Sequence, residues 1–330
     1  MKILLATNHL EKTGGTENFT YAMATALKRL NYDTEYFCIQ SGEIARKIEA
    51  LGIPFMTHSH YDLIIANHIS VVDRLCGKGT IIQTCHGITP PIEQPSPYAD
   101  ILVGISEEIK EHVESLGFPC CHVILNGIDC QRFTPTQELH SQLTSVLSLC
   151  QADEAHQILK ECCDELGVSF VRSDKKLDNN WEVESLINSC DMVVGIGRSI
   201  YDAMACGRTI ISFDFRAYNG EMKGNGYLTR DNIFESLKKN CTGRNANAIF
   251  SKDDLLHALQ SYNPAEGSFF RQFALENLNV DIQLKKYIQL YENFIKGKES
   301  ESTFTKWKDT FKKKKHQLYV WQKYFFRKRK

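Results

Sequence analysis

Short apolar runs alternate with amphipathic stretches of helical period along most of the chain. Residues 2–7 form an apolar run, and residues 19–30 then place apolar side chains on one face of a helix. The alternation continues to an apolar run at 122–125, and a second series begins at 145–150. Strands that alternate with helices predict parallel sheets with helices on both faces. The pattern therefore predicts an α/β protein with two domains and a cleft between them.

The apolar runs also set the expected element boundaries. Predicted strands of the first domain cover residues 2–7, 34–39, 53–57, 61–67, 79–85, 100–106 and 122–125. Those of the second cover 145–150, 168–172, 192–194 and 209–213. Residues 215–227 contain three glycines and are predicted to be a loop. We place the domains at 1–130 and 131–279, followed by a long helix at 280–296 and a tail at 297–330.

Composition restricts the compartment and the class of protein. No stretch approaches the ~20 continuous apolar residues of a membrane span, and the first ten residues are too soon interrupted by polar ones to be a secretory signal. The twelve cysteines include no CxxC pair, which argues against a zinc site. We therefore expect a cytoplasmic protein with reduced thiols and no bound metal.

The net charge of −1 hides a basic tail. Residues 301–330 contain eleven Lys or Arg and two acids, so the first 300 residues carry about −10. Aromatic and apolar residues recur there at helical spacing, at Trp307, Phe311, Leu318, Trp321 and Phe325. This predicts a basic amphipathic helix on an anionic membrane surface. A solvated tail and a helix packed on the acidic body remain alternatives. Nucleic acid is not the expected partner, because nothing in the two-domain body supports it.

Residues 191–214 are the clearest candidate for a phosphate site. A short apolar strand is followed by Gly195 and Gly197, and Arg198 and Ser199 stand where the next helix begins. Glycines allow close backbone approach, and the N–H groups of a first helical turn favour an anion. Ser199 followed by Asp202 is also a capping-box pattern, which needs no ligand. Both interpretations stay open at this level.

Two further features follow predicted strands of the first domain. The nine residues from His9 to Glu17 contain Gly14 and Gly15, and their length exceeds that of an ordinary connection. Thr16 is the expected N-cap of the following helix. His86 stands just after an apolar strand, where it suits hydrogen bonding to a sugar hydroxyl or acid–base work. An ordinary loop and a structural histidine are the alternatives.

Several short motifs occur in an order that resembles one enzyme family. They are Gly14-Gly15-Thr16-Glu17, His86-Gly87, Ile105-Ser106-Glu107, Asn126-Gly127-Ile128-Asp129 with Phe133-x-Pro135, and Asp202-Ala203-Met204-Ala205-Cys206-Gly207. Together they resemble the GT-B glycosyltransferases of family 4 over about residues 1–296. The resemblance implies two Rossmann-like domains, with an acceptor bound mainly by the first and a nucleotide-sugar by the second. It also implies a crossover helix at 280–296, retaining transfer and no obligatory metal or other cofactor.

The resemblance also assigns roles to individual positions. Gly14 and Gly15 match the glycine loop near the donor diphosphate, and His86 matches the histidine that contacts the transferred sugar. Asp202 matches the second of two paired acids, the one that holds the ribose hydroxyls. The first acid would fall at Val194, and the family's Gly-Arg and Lys phosphate clamp is not found where it is expected, at residues 148–153. We therefore expect Gly197, Arg198 and Ser199 to hold the diphosphate, with the arginine gripping two oxygens.

The sequence thus predicts a hexosyltransferase-like enzyme that moves a sugar from a nucleotide-sugar to a glycan or lipid-linked acceptor. Cell-envelope polysaccharide or glycolipid synthesis, on the inner face of the membrane, fits the basic tail. Two alternatives remain: a non-catalytic module that binds a sugar nucleotide or acts as a scaffold, and a sugar-nucleotide epimerase. The non-catalytic module stays an alternative because the first acid and the phosphate clamp of the family are absent.

Overall fold

The computed structural model describes residues 1–173, 181–215, 221–244 and 250–300. The chain divides into two compact units. Unit 1 comprises Met1–Gly127 together with the described residues from Asp281 onward, and unit 2 comprises the described residues of Ile128–Val280. The basic aromatic tail predicted at 304–330 lies outside the described residues. No helix among the residues described is long and apolar enough to cross a membrane.

Unit 1 is built from six strands and five α-helices of the described chain. The strands are β1 (Lys2–His9), β2 (Asp33–Gln40), β3 (Leu63–Ala66), β4 (Thr80–Cys85), β5 (Ile101–Gly104) and β6 (Cys121–Val123). The helices are α1 (Gly15–Arg29), α2 (Glu43–Ala50), α3 (Ile69–Leu75), α4 (Glu107–Ser115) and, from the end of the chain, α11 (Val280–Ser300). A turn of 3-10 helix covers Pro91–Glu93.

All six strands form one parallel sheet in the order β2-β1-β3-β4-β5-β6. The strand predicted at 53–57 is wrong, because only a single parallel bridge joins Phe55 to Tyr36. Pro54 has no N–H to donate, and the Glu35 carboxylate accepts the N–H of Thr57 at 2.7 Å, which removes it from any ladder. The helix α3 had no counterpart in the sequence-based prediction.

The helix α11 is anchored in unit 1 by polar contacts at several points. Arg29 on α1 donates to both carboxylate oxygens of Asp281, and its shortest contact is 2.6 Å. The Tyr287 hydroxyl, fully buried, lies 2.9 Å from Oγ1 of Thr84 on β4. The predicted helix at 280–296 is therefore present and extends to Ser300.

Unit 2 repeats the same architecture on a smaller scale. Its strands are β7 (Ser145–Ser148), β8 (Ser169–Arg172), β9 (Met192–Gly195), β10 (Thr209–Phe215) and β11 (Met222–Tyr227). Its helices are α5 (Asp153–Leu166), α6 (Val183–Asn188), α7 (Arg198–Ala205), α8 (Ile233–Lys238), α9 (Lys252–Gln260) and α10 (Ala265–Phe273). A π-helical turn, Ala274–Leu278, joins α10 to α11.

The sheet of unit 2 has the order β11-β10-β9-β7-β8 and is parallel except for β11. The loop predicted at 215–227 is wrong in its second half, since β11 pairs antiparallel with β10. Glycine is needed inside this strand because a Cβ at Gly224 would collide with the carbonyl oxygen of Ser212. A register shift between Ser212 and Asp214 marks the same place as a bulge. Gly224, which the sequence analysis took as a sign of a loop, is therefore required by the close approach of β10 to β11.

Candidate active site

The strand order places one crevice at the carboxyl edge of each sheet. In unit 1 the order reverses between β1 and β3, and in unit 2 between β7 and β9. Open α/β sheets bind ligands where the strand order reverses, outside the carboxyl ends of the strands. Gly14, Gly15 and His86 lie at this edge of unit 1, while Gly197, Arg198, Ser199 and Asp202 lie at it in unit 2. The predicted site residues therefore fall into two groups, each at an edge suited to ligands.

His86 follows β4 and is oriented by a chain of hydrogen bonds. The Thr20 hydroxyl donates to the carbonyl of Thr16 at 2.7 Å, so its oxygen accepts from Nδ2 of Asn67 at 2.8 Å. The Oδ1 atom of Asn67 then faces Nε2 of His86 at 3.1 Å. The proton of a neutral His86 must accordingly lie on Nε2, with Nδ1 as the acceptor. Phe19 packs edge-on against the ring, with centroids 5.0 Å apart.

The glycine loop after β1 differs from the prediction in length and capping. The strand ends at His9 and α1 begins at Gly15, so the connection has an ordinary length. Gly14 is the N-cap, and Thr16 lies inside the helix. A Cβ at Gly14 would collide with the Glu17 carboxylate, whereas nothing lies within 4 Å of the Cβ position at Gly15. Gly14 is thus explained by packing, and Gly15 faces open space.

Two further histidines lie at the same edge of unit 1. His68 is buried, and its Nδ1 accepts from the backbone N–H of Asn8 at 3.0 Å and contacts Oγ1 of Thr7 at 3.1 Å. Burial, with a smaller effect of His9, lowers the pKa of His68 to about 4. His9 stacks on His68 and places Nε2 2.9 Å from Oε1 of Glu17. His68 is therefore a neutral structural residue that holds the end of β1.

In unit 2, the amino end of α7 is built around Gly197. Its φ of 60° and ψ of −127° suit glycine, and it is the N-cap of α7 without any side-chain cap. Ser199 lies in the first turn, so the capping box Ser199-x-x-Asp202 is wrong. Ser199 packs on the strand, since a Cβ at Gly195 would lie 3.2 Å from Cβ of Ser199. The first turn of α7 therefore has no side-chain cap, which rules out the capping box and leaves its N–H groups suited to an anion.

Arg198 and Asp202 form a buried pair one helical turn apart. Nε of Arg198 lies 3.6 Å from Oδ1 of Asp202, and the two side chains are about 10% and 9% exposed. Burial lowers the pKa of the Arg198 guanidinium, Asp202 opposes that, and Arg132 lowers it further. Asp129 also raises it. Two arginines and two aspartates thus share one electrostatic environment at the amino end of α7.

Arg132 was not predicted as a site residue. Its guanidinium donates to both carboxylate oxygens of Glu184, at 3.1 and 2.9 Å, and lies 4.3 Å from the ring centroid of Trp181. Arg132 follows the Asn126-Gly127-Ile128-Asp129 motif and is remote from Arg198 in sequence. The motif itself does not predict that a cation here lies near Arg198. Arg132 is a second cation close enough to Arg198 to lower its pKa, and its own charge is paired with Glu184.

The turn after α8 adds polar groups to the same region. Asn240 and Cys241 both have left-handed backbone angles, with φ of 53° and 51°. Nδ2 of Asn240 lies 3.4 Å from the Cβ position of Gly197. Its Oδ1 atom, like the hydroxyl of fully buried Tyr201 on α7, has no hydrogen-bond partner among the residues described. Strained backbone and unsatisfied polar atoms are concentrated at functional sites.

Asp191 and Val194 show why the nearby positions do not serve as the missing acid. Asp191 accepts hydrogen bonds from the backbone N–H of Thr144, Ser145 and His140 at 2.9 to 3.1 Å. Its burial would raise its pKa, but the bonds from Thr144 and His140 outweigh that and lower it. Val194 is fully buried in the apolar core of unit 2. Asp191 therefore has a structural role, and Val194 has no polar group that could bind a ligand.

A cavity of about 340 Å³ in unit 1 has none of the predicted site residues Gly14, Gly15 and His86 in its lining. Asp62, Thr80 and Tyr98 are among its lining residues, at the amino ends of β3, β4 and β5. The opposite, carboxyl edge is where α/β sheets place their ligand sites. We therefore locate the candidate site by topology and chemistry, at α7 and at His86.

No family model matches this sequence. No curated protein matches it either. The similarity to known proteins is in the fold. Anabaena Alr3699/HepE, solved with UDP-glucose, has a TM-score of 0.57 at 14% identity, with 91% of this chain and 100% of that one covered. AviGT4, a glycosyltransferase involved in avilamycin A biosynthesis, has a TM-score of 0.56 at 12% identity, covering 90% and 98%. This chain has the GT-B glycosyltransferase fold.

A third GT-B structure broadens the range of ligands seen on this fold. It is an α-glucosyltransferase in complex with UDP-glucose and DNA containing an abasic site, with a TM-score of 0.56 at 10% identity, covering 88% and 99%. At these identities the likeness establishes the GT-B fold alone. The roles of Gly14, Gly15, His86, Gly197, Arg198, Ser199 and Asp202, and membership of family 4, stay predictions.

Proposed function

We propose that the protein is a glycosyltransferase that takes a nucleotide-sugar as donor and holds it at the amino end of α7. The observation that carries this is the Arg198–Asp202 pair, placed in the uncapped first turn at the carboxyl edge of the unit 2 sheet. The GT-B fold and the UDP-glucose bound in two similar structures support it. A hexose carried on UDP is therefore the donor to test first.

Each group at α7 has a chemical task in this proposal. The Arg198 guanidinium and the first-turn N–H groups of Gly197 to Ser199 bind the diphosphate, and Arg132 adds positive charge to the same field. Asp202 accepts hydrogen bonds from the ribose hydroxyls. The negative charge that develops on the leaving diphosphate is stabilised by these fixed positive groups. Arg198 takes the place of the clamp, and Asp202 holds the ribose without the first acid of the family pattern.

Unit 1 supplies the sugar and acceptor contacts in the same proposal. Nε2–H of His86 is held by Asn67, so the ring presents Nδ1 as an acceptor for a sugar hydroxyl. Gly15 leaves open space beside the first turn of α1 for the diphosphate or the sugar. We propose retaining transfer without a bound metal, as the family resemblance implies.

Donor binding can be tested by thermal unfolding with UDP-, GDP- and CMP-sugars. We expect a UDP-hexose at about 100 times its dissociation constant to add about 2.7 kcal/mol of stability, which is a rise of several degrees in Tm. The rise should be unchanged by EDTA. Lys160→Ala, an exposed site on α5, is a matched control that should respond like the wild type. Absence of stabilisation by every nucleotide would favour the scaffold alternative.

The non-catalytic alternative has a specific observation in its favour, namely apolar Val194 where the family has an acid. A binding module would show nucleotide stabilisation without release of UDP or transfer of sugar. An epimerase would change the sugar of the donor while it stays attached to the nucleotide. Product analysis by NMR separates these three outcomes.

We further propose that residues 304–330 hold the protein on the inner face of the cell membrane, close to a glycan or lipid-linked acceptor in cell-envelope synthesis. The support is the charge and aromatic spacing of the sequence. In flotation with vesicles of phosphatidylglycerol, the full chain should float and a truncation after Ser300 should not. Vesicles of phosphatidylcholine alone should recover neither. Equal flotation of both proteins would contradict the proposal. Selective binding of the tail to DNA would instead indicate a nucleic-acid partner.

A further inference from the structure

A groove in unit 1 is lined by residues of the edge strand β6 and of the helix α11, and we call it the β6–α11 groove. Its volume is about 440 Å³, within the usual range of ligand pockets. Half of the lining is apolar and consists of Val123, Ile124, Ile282 and Leu290. None of the predicted site residues Gly14, Gly15 and His86 lines it. The groove is therefore a feature separate from the candidate active site.

The other half of the lining is polar and positively charged. It consists of His122, Lys285, Lys286 and Gln289, and no Asp or Glu is among the described residues that line the groove. Both lysines are exposed. Lysine side chains can lay their methylene stems along an apolar surface while the ammonium group stays in water. The groove thus places two ammonium groups beside an apolar surface.

Neither lysine has an acidic partner within the described part of the chain. On a helix the partner would stand three or four positions away. Around Lys286 all four such positions are uncharged, and its Nζ lies 3.1 Å from Oε1 of Gln283. Lys285 has Asp281 four positions before it, but Arg29 donates to both oxygens of that carboxylate. Partial burial lowers the pKa of the Lys286 ammonium, and a bound anion would offset that cost.

We infer that the β6–α11 groove binds one anionic phospholipid, whose phosphate lies on Lys285 and Lys286 and whose acyl chain lies along the apolar side chains. Basic pockets of this kind bind lipid head groups. A free phosphate would leave the apolar half of the groove uncovered, and a lipid without net charge would leave the two lysines uncompensated.

The position of the groove fits a lipid of the membrane surface. Leu290 precedes the last residue of α11, Ser300, by ten residues, or about 15 Å of helix. The segment 304–330, proposed above to bind the membrane, begins just beyond that end. The inference therefore adds a lipid contact of unit 1 to that proposal, and it does not depend on sugar transfer.

Calorimetric titration of the full chain with dihexanoylphosphatidylglycerol tests the inference, because this short-chain lipid dissolves as single molecules and needs no membrane. We expect it to bind more tightly than dihexanoylphosphatidylcholine or inorganic phosphate. Lys285→Ala combined with Lys286→Ala should weaken the binding by roughly 30-fold, since two charges beside the lipid phosphate are lost. Leu290→Gln should weaken binding of the lipid and leave that of inorganic phosphate unchanged. Lys160→Ala combined with Lys238→Ala, two exposed sites in unit 2, should match the wild type.

The outcomes separate this groove from the membrane segment and from other occupants. Equal affinity of the lipid for the wild type and for the Lys285 and Lys286 double variant would overturn the groove as a lipid site and leave the proposal for 304–330 standing. Equal affinity for the lipid and for inorganic phosphate would overturn the role of the acyl chain. Light scattering that shows the wild type, but not the double variant, to dimerise would assign the groove to a second copy of the chain instead. A full chain that binds the soluble lipid but does not float with vesicles would overturn the membrane segment alone.

Discussion

Replacing Arg198 by alanine is expected to lower the rate of UDP release and sugar transfer by roughly 100- to 1000-fold, the usual loss when one group that stabilises transition-state charge is removed. The side chain is about 10% exposed and faces Asp202, so the charge it presents to a diphosphate acts in a poorly solvated site. Donor affinity should fall as well, because the same guanidinium holds the diphosphate in the ground state. Steady-state kinetics and calorimetric titration with the donor that stabilises the wild type measure both effects.

Two further variants separate this effect from a loss of folding. Arg198→Ala leaves Asp202 as a buried acid with less compensation, which itself costs stability. Arg198→Ala combined with Asp202→Asn removes that charge, and Arg198→Lys keeps a positive charge without the planar fork. We expect Arg198→Lys to retain more activity than Arg198→Ala, and the double variant to be stable and inactive. Full activity in a folded double variant would show that this pair does not bind the donor.

Changing Asp191 to asparagine is expected to destabilise unit 2 by about 2 to 4 kcal/mol, since an amide nitrogen would replace one oxygen among several N–H donors. Thr144 alone donates to Asp191 through its backbone and its hydroxyl, at 2.9 and 2.6 Å. Urea unfolding at pH 7 measures the loss. Asp164→Asn, an exposed acid paired with Lys160, should change the free energy of unfolding by less than about 1 kcal/mol.

The sign of the pH effect follows from the lowered pKa of Asp191. A carboxylate whose folded pKa lies below its unfolded pKa stabilises the fold above the unfolded value, and that contribution is lost as the pH falls through the folded one. The difference between wild type and Asp191→Asn should therefore be full at pH 7 and shrink below about pH 3.8. A difference independent of pH would contradict this account of Asp191.

The two-domain architecture could be predicted because hydrophobic period is a local property. Each buried strand and amphipathic helix shows its period within about ten residues, and the ordered motifs indicated the GT-B fold. Pro54 is a local sign against a strand at 53–57, but the contacts that decide the failures at 53–57 and 222–227 are tertiary. Glu35 takes the N–H of Thr57, which a strand at 53–57 would use, and Gly224 lies in a strand because Ser212 approaches it closely. Neither contact leaves a signal in the local sequence.

The candidate site likewise has a part that the local sequence predicts and a part that only the fold brings together. Gly197 to Asp202 is one contiguous stretch, so its position at a helix start could be predicted, although only the structure decides against the capping box at Ser199. Arg132 and Asn240 lie far from this stretch in sequence, and the fold alone brings Arg132 near Arg198 and Asn240 near Gly197. Pairings of this kind need the structure.

The most direct test of the central claim is a crystal structure of the protein with bound UDP-hexose. The account predicts the diphosphate at the first turn of α7, with its oxygens within hydrogen-bond distance of the Arg198 guanidinium and of the backbone N–H of Ser199. It predicts the ribose hydroxyls on the Asp202 carboxylate. A nucleotide bound with its diphosphate away from Gly197 to Ser199, and out of contact with the Arg198 guanidinium, would contradict it.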